Sequence, residues 1–375
     1  MAVDTMCIFY SLLGGFFMGS YPVAIKLPSV MEVQAHPVVF QCYKSFWVFV
    51  SGWLFVLANA VSGRSPVFEF TWWGVVATAA WIPSGLCTIY AVPRLGVGMT
   101  MVISTGTAAT MSFLSFWLLF GEQMRVHVEG TYHFYLAPAY LLCVVLGMLG
   151  LVAASQMHKH DHCLGVDDSE IGALVPKTGR RQKNARPFLS GSFNSGLAIA
   201  SLGGAFSAVQ FAAVNVGKRI EMQADGCGGN FEACSAVLQE RFNSFGSWMS
   251  SFGIGAMLIT LFYVALVFGM AHCQGAPLPS LHFRTLRGPG SVAGLCWSIG
   301  AMFQTAAVVR GGNAVMVPAN GSIQLITTGL WGVLYYGEVR GMQRLLLWAA
   351  AALFTLAAMF LLSGEKLDVP AGHHM

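Results

Sequence analysis

The residues of this chain best suited to chemistry are polar groups set inside long apolar runs. Gln41 and Lys44 are three positions apart and therefore share one face of a helix. At about 1.5 Å per residue, Lys44 sits roughly 10 Å into its run, and no acidic residue lies comparably deep. An ammonium in that position is either the counter-charge of an anionic ligand or a side chain reaching for the membrane interface. Further along come the amides Gln210, Asn215, Gln304, Asn320 and Gln324, and the hydroxyls Ser104 and Thr105. Tyr21, Trp81 and Trp297 supply flat aromatic faces in the same runs, with Tyr90 close by. Uncharged hydrogen-bonding groups beside aromatic faces suit a polar neutral ligand such as a sugar. The rings stack on its apolar side and the amides bind its hydroxyls. Close helix packing explains Ser, Thr and Gly equally well, but it explains the amides poorly, because a buried amide needs partners.

Other chemistry is weaker. Pro22 in Gly19-Ser-Tyr-Pro-Val-Ala-Ile-Lys26 and Pro318 in Pro318-Ala-Asn-Gly-Ser-Ile-Gln324 each free a backbone carbonyl. Both are read as helix breaks of the kind that line binding cavities in transporters. Lys26 reads as an interface residue. Glu122 and Glu338 each follow a glycine at a helix end, where a carboxylate is more often solvated or capping than proton-coupling. Arg94 and Arg310 fall in tight turns and read as interface anchors. His158-Lys-His-Asp-His162-Cys163 opens a polar segment, where adventitious metal binding is the expectation, so no metal site is assigned. Gly-x-Ser-x-Gly, His-Glu-x-x-His and phosphate-loop patterns are absent. Neither catalysis nor a cofactor is expected.

The elements that must position these residues follow from composition. The chain has 375 residues, 55% of them hydrophobic and only 10% charged. A soluble domain carries about 25% charged residues, so this is an all-α polytopic membrane protein. Its net charge of +4 gives no reason to expect nucleic acid as a partner. Ten apolar runs of helix length lie near 5–26, 37–61, 70–92, 96–120, 132–154, 191–217, 244–271, 289–309, 312–336 and 343–363. The N-terminus lacks a basic leader region, so the first run is expected to remain as a helix.

The runs repeat. Trp81 and Trp297, Arg94 and Arg310, Gly96 and Gly312, and Gly121-Glu122 and Gly337-Glu338 are each separated by 216 positions. Two apolar helices joined by a tight turn at the Arg thus occur twice. Gly14-Gly15 has a counterpart in Gly203-Gly204. The chain divides into a first five-helix repeat over 1–154, a basic linker over 155–190, a second repeat over 191–364 and a tail over 365–375. Five is odd, so the two repeats must face opposite ways, as in transporters built from inverted halves.

The linker carries Lys159, Lys177, Arg180, Arg181, Lys183 and Arg186 and reads as a cytosolic disordered loop. Loops on its side hold twelve Lys and Arg against seven on the other, which places both termini outside or in a lumen. The loop 218–243 then faces an oxidising compartment, where Cys227 and Cys234 can pair. Two free thiols are the alternative. The sequon Asn320-Gly-Ser322 lies inside a helical run and is not expected to carry a glycan.

Several stretches resemble a known family. They are Gly19-Ser-Tyr-Pro-Val-Ala-Ile-Lys26, Phe40-Gln41, Trp81, Leu95-Gly96-Val-Gly98 and Leu330-Trp-Gly-Val-Leu-Tyr-Tyr-Gly-Glu-Val-Arg-Gly341. In these the chain is similar to the drug/metabolite transporter superfamily, and within it to the glucose/ribose porter and transmembrane protein 144 type. The resemblance implies ten helices from a duplicated five-helix unit, a cytosolic central loop and carbohydrate transport. The basic 155–190 loop and the two-Cys loop depart from that pattern. Residues and resemblance together lead to the expectation of a secondary transporter for a small polar metabolite, a carbohydrate first, working by alternating access in a lipid bilayer. The alternatives are an exchanger for nucleotide sugars or other anionic metabolites, with Lys44 as counter-charge, and a non-transporting sensor. A coupling ion and a homodimer stay open as partners.

Overall fold

The computed structural model describes residues 5–25, 27–33, 35–95, 97–129, 131–161, 193–227, 231–336 and 341–366. Its long helices follow the apolar runs: α1 (Thr5–Ile25), α3 (Pro37–Val61), α4 (Trp72–Leu95), α5 (Val97–Leu114), α6 (Ala137–Asp161), α7 (Phe193–Asp225), α9 (Ser247–Cys273), α10 (Phe283–Gly311), α11 (Asn313–Leu334) and α12 (Met342–Gly364). The short helices α2 (Pro28–Val33) and α8 (Ala236–Arg241) lie in connections. A π-helical turn over Ser115–Leu119 ends α5, and a small hairpin pairs β1 (His127–Glu129) with β2 (Tyr132–Phe134) antiparallel. Three-residue strands carry too little alternation to be seen in sequence.

Among the described residues, eight helices are long and apolar enough to cross a membrane. In α6 the shorter stretch Ala137–Leu151 is apolar, and α11 dilutes its apolar residues with Asn313, Asn320, Ser322 and Gln324. Those residues are buried or half-buried against other helices. The outer surface is rich in exposed Leu, Phe and Trp, such as Leu57, Trp72, Leu261, Phe262 and Leu353, the face a bilayer solvates. The chain is an integral, multi-pass membrane protein.

Helix contacts come in matched pairs. Helix α4 packs on α7 as α10 packs on α1, α5 on α7 as α11 on α1, and α4 on α9 as α10 on α3. Helices α3 and α9, α5 and α11, and α6 and α12 meet each other directly. Glycine pairs set two of the close approaches. A Cβ on Gly15 would lie 2.5 Å from Cβ of Ile323, and one on Gly204 would lie 2.3 Å from the Ser104 carbonyl. Gly14 and Gly203 likewise face Asn320 and Ser104, two positions 216 residues apart.

Two expectations need correction. Pro22 and Pro318 do not break their helices: α1 and α11 run through them. Pro22 stands in the last turn of α1, where it removes only the one bond its own N–H would have given to the Met18 carbonyl. Thr328 of α11 and Tyr336 just after it also donate to α1 carbonyls there, Thr328 to Gly19 at 2.9 Å and Tyr336 to Val23 at 2.9 Å. Pro318 lies in the second turn of α11, and the Ser322 hydroxyl donates to its carbonyl at 2.8 Å. The second correction concerns helix ends, because α6 runs on to Asp161 and α7 to Asp225, beyond the apolar runs. Lys26, Gly96, Glu338, the linker from 162 to 190 and the end of the tail lie outside the described residues.

Candidate functional site

Lys44 defines the site. Its side chain is only 2% exposed, and its ammonium lies 4.7 Å from the Tyr21 ring centre, 5.2 Å from Trp81 and 5.8 Å from Trp297. These distances fall within cation–π range, worth about 0.5–2 kcal/mol per contact. Taking an ammonium out of water costs several kcal/mol, so the rings offset only part of that cost. Among the described residues no carboxylate pairs with it. The ion pairs His127–Glu365 and Arg241–Glu221 lie elsewhere.

Trp81 and Trp297 hold equivalent places in the sequence repeat and pack against each other, with centroids 4.1 Å apart and ring planes inclined by 32°. Phe252 of α9 completes the cluster, 5.4 Å from Trp81 and 5.5 Å from Trp297. Offset aromatic pairs of this kind add about 0.5–1.5 kcal/mol each beyond their buried area.

A cavity of about 60 Å³ opens beside this cluster, between helices α1, α3, α4, α5, α7, α10 and α11. Of the residues expected to bind a ligand, Tyr21, Lys44, Trp81, Ser104, Thr105, Gln210, Trp297, Gln304 and Gln324 line it. Two do not. Gln41 is buried behind Gly85, its Nε2 donating to Ser45 at 3.3 Å and its Oε1 without a partner. Asn320 is fully buried against Gly14, with neither amide atom hydrogen-bonded. Ser84, Thr88, Ser207 and Phe211 line the cavity as well, though sequence reasoning passed them over. A signal did exist for Ser84, which lies one helical turn from Trp81 on the same face. Among the described residues lining the cavity, Lys44 alone carries a charge.

Two further spaces continue toward one end of the bundle. A void of about 10 Å³ shares Gln210 and Phe211 with the central cavity and is closed by Trp248, Met249 and Phe252. Beyond it lies a vestibule of about 430 Å³ bordered by Tyr10, Arg64, Phe231, Glu240, Phe245 and Arg310. All three lie along α10: Trp297 and Gln304 face the cavity, Ala301 and Thr305 the void, and Ala306, Val309 and Arg310 the vestibule. From Trp297 to Arg310 the helix rises about 20 Å.

At the vestibule end Glu122 is buried and accepts from the backbone of Asn313 at 3.1 Å and of Ala314 at 3.2 Å. It thus caps α11, a helix distant in sequence, where a carboxylate also complements the helix dipole. Asn313 in turn donates to the Phe211 carbonyl, and Asn215 to Val308 and Asn313. Arg310 lies over the Tyr10 ring at 5.5 Å, and Arg94 over Tyr90 at 4.0 Å while donating to the Tyr90 carbonyl. Cys227 and Cys234 are joined in a disulfide beside the vestibule. Asp225 lies close to both sulfurs, but these are bonded to each other and leave no thiolate for a metal.

A family model described as sugar transport protein matches residues 249–371, roughly a third of the chain. No curated protein matches. Fourteen solved chains do. One of them, described only as the crystal structure of a protein, aligns with a TM-score of 0.51 at 13% identity, over 96% of this chain and 98% of its own length. At that identity the likeness concerns the fold alone. The apolar helices and the family match together support a membrane sugar transporter in general terms. For the small-molecule substrate and the bilayer that such a protein requires, the central cavity and the apolar outer surface are the matching features.

Proposed function

We propose that the chain is a secondary transporter that carries a small sugar across the membrane by alternating access around the central cavity. The observation that carries this reading is the cavity itself. It lies where helices of both sequence repeats converge, with the paired indoles of Trp81 and Trp297 beside Gln210, Gln304 and Gln324. A sugar ring laid on the indoles would find amides around its hydroxyls.

Ten membrane spans, in two five-helix halves of opposite orientation over 1–154 and 191–364, go with this reading. The matching of the most extensive helix contacts supports it, α4 on α7 with α10 on α1, α5 on α7 with α11 on α1, and α4 on α9 with α10 on α3. So does the facing of Gly14 on Asn320 and of Gly203 on Ser104. The cavity holds a few water molecules at about 60 Å³, whereas ligand pockets run to about 300–1,000 Å³. This conformation is therefore read as occluded. Trp248 and Phe252 shut the cavity from the vestibule, and the bonds from Thr328, Trp331 and Tyr336 of the α11 end to α1 hold the other side. Rocking of the halves would break one set while keeping the other.

The experiment is uptake of radiolabelled monosaccharides into proteoliposomes holding the purified chain, after a thermal-shift screen has chosen the probes. Saturable accumulation, lost when Trp297→Ala removes the stacking face, is the expected result. Thermal stabilisation by a sugar with no flux in either direction would make the chain a sensor instead. Accumulation of nucleosides or amines and of no sugar would end the carbohydrate reading.

A further inference from the structure

From the charge inventory of the cavity, and resting on the carrier reading above, we infer that the sugar is an acidic monosaccharide bearing one carboxylate, as a hexuronate does, with Lys44 as its counter-ion. The cavity holds one cation and, among the described residues, no anion. Lys44 is 2% exposed and faces three aromatic rings, and none of them can neutralise it. A buried charge is tolerated where it gains an opposite charge, and here the protein supplies none. An anionic group on the ligand would supply the missing partner.

The magnitude of the missing charge follows from the same inventory. One ammonium balances one carboxylate. A phosphate ester carries closer to two negative charges and is usually gripped by guanidinium forks or several donors with charge. Among the described residues, no Arg lines the central cavity. The remaining lining suits the rest of an acidic sugar: Gln210, Gln304, Gln324, Ser104 and Thr105 for hydroxyls, and the paired indoles for the ring face.

The vestibule gives an independent indication. Among the described residues its rim bears Arg64 and Arg310 against one acidic residue, Glu240, a net excess of one positive charge; the Glu240 carboxylate accepts from the Ser247 hydroxyl at 2.9 Å, the Ser247 backbone at 3.1 Å and Asn243 at 2.9 Å. A mouth of that sign concentrates anions ahead of a cavity that holds a cation. The two features lie along one helix, α10, in the order an incoming solute would meet them.

The test uses the full chain in proteoliposomes with radiolabelled glucuronate, glucose and glucose 6-phosphate. Glucuronate is expected to accumulate saturably, with glucose and glucose 6-phosphate at least tenfold slower. Its rate should fall as ionic strength rises, because the vestibule charges are screened. Lys44→Gln should lower the ratio of glucuronate to glucose uptake at least tenfold, and Lys44→Arg should keep most of it. If Lys44→Gln does not fold, inhibition of wild-type glucuronate uptake by unlabelled galacturonate, with none by glucose, supports the inference without any variant. Glucose uptake without glucuronate uptake overturns the inference and leaves the carrier reading standing. Preference for glucose 6-phosphate overturns the single-charge argument. Transport of no sugar by well-folded protein overturns both.

Discussion

Glu122 shows how one side chain can tie the two halves of this chain together. Its carboxylate takes two backbone N–H groups of α11 that have no intrahelical acceptor. The site is buried, so removing the acceptor leaves two donors unsatisfied. Glu122→Ala should destabilise the protein by about 1–3 kcal/mol, while Glu122→Gln keeps one acceptor and should cost less. Thermal unfolding of purified protein in detergent measures both. Equal midpoints for wild type and Glu122→Ala would mean that the cap contributes nothing. At this scale the sequence was readable in part. A glycine-glutamate pair at a helix end pointed to a cap, but not to which helix it caps, because the partner lies almost 200 residues away. Lys44 was conspicuous as the deepest charge, yet whether it reached the interface or turned inward depends on the rotation of α3. Hydropathy does not encode that rotation when a helix is apolar on most of its sides.

Between elements, small residues decide how near two helices come. Gly15 on α1 meets Ile323 of α11, and Gly204 on α7 meets Ser104 of α5, each with no room for a methyl group. Such contacts are the main source of association between helices in lipid, where no hydrophobic force separates helix from solvent. Gly15→Ala and Gly204→Ala should each cost about 1–3 kcal/mol by overpacking, and should do so to a similar extent, since they hold corresponding contacts. Gly106→Ala, which would meet nothing within 4 Å, serves as the control and should not lower the unfolding midpoint. A large loss for Gly15→Ala and none for Gly204→Ala would argue against equivalent packing in the halves. The helices themselves were legible, because backbone groups in lipid must be satisfied within a helix and apolar length marks where that happens. The prolines were misread for the opposite reason. Around Pro22, α1 is held by distant residues, Thr328 bonding the Gly19 carbonyl and Tyr336 the Val23 carbonyl, contacts that no local pattern reveals. The cavity residues Ser84, Thr88 and Ser207 were lost among other small hydroxyl residues, since a Ser that packs a helix and a Ser that faces a cavity look alike in sequence.

Orientation is a property of the whole molecule, and the disulfide bears on it more directly than the charge count does. The loop with Cys227 and Cys234 leaves one end of α7, and the linker after Asp161 enters at the other end. A helix that crosses the bilayer puts those two segments on opposite sides. Disulfides persist in oxidising compartments and are rare in the cytosol, so the 218–243 loop and the vestibule beside it should face the outside or a lumen. The linker, with five Lys and Arg after Asp161, should then face the cytosol, the side that the excess of positive charge also favours. An epitope inserted between Lys177 and Arg180 should therefore bind antibody only after the plasma membrane is selectively permeabilised. A thiol reagent that cannot cross membranes, added to sealed vesicles with the cytosolic face outward, should leave Cys227 and Cys234 unlabelled even after reduction with a permeable reductant. Labelling of that pair from the cytosolic face would invert the molecule. It would also put the Arg64 and Arg310 mouth on the cytosolic side, so that the same cavity would be loaded from within the cell.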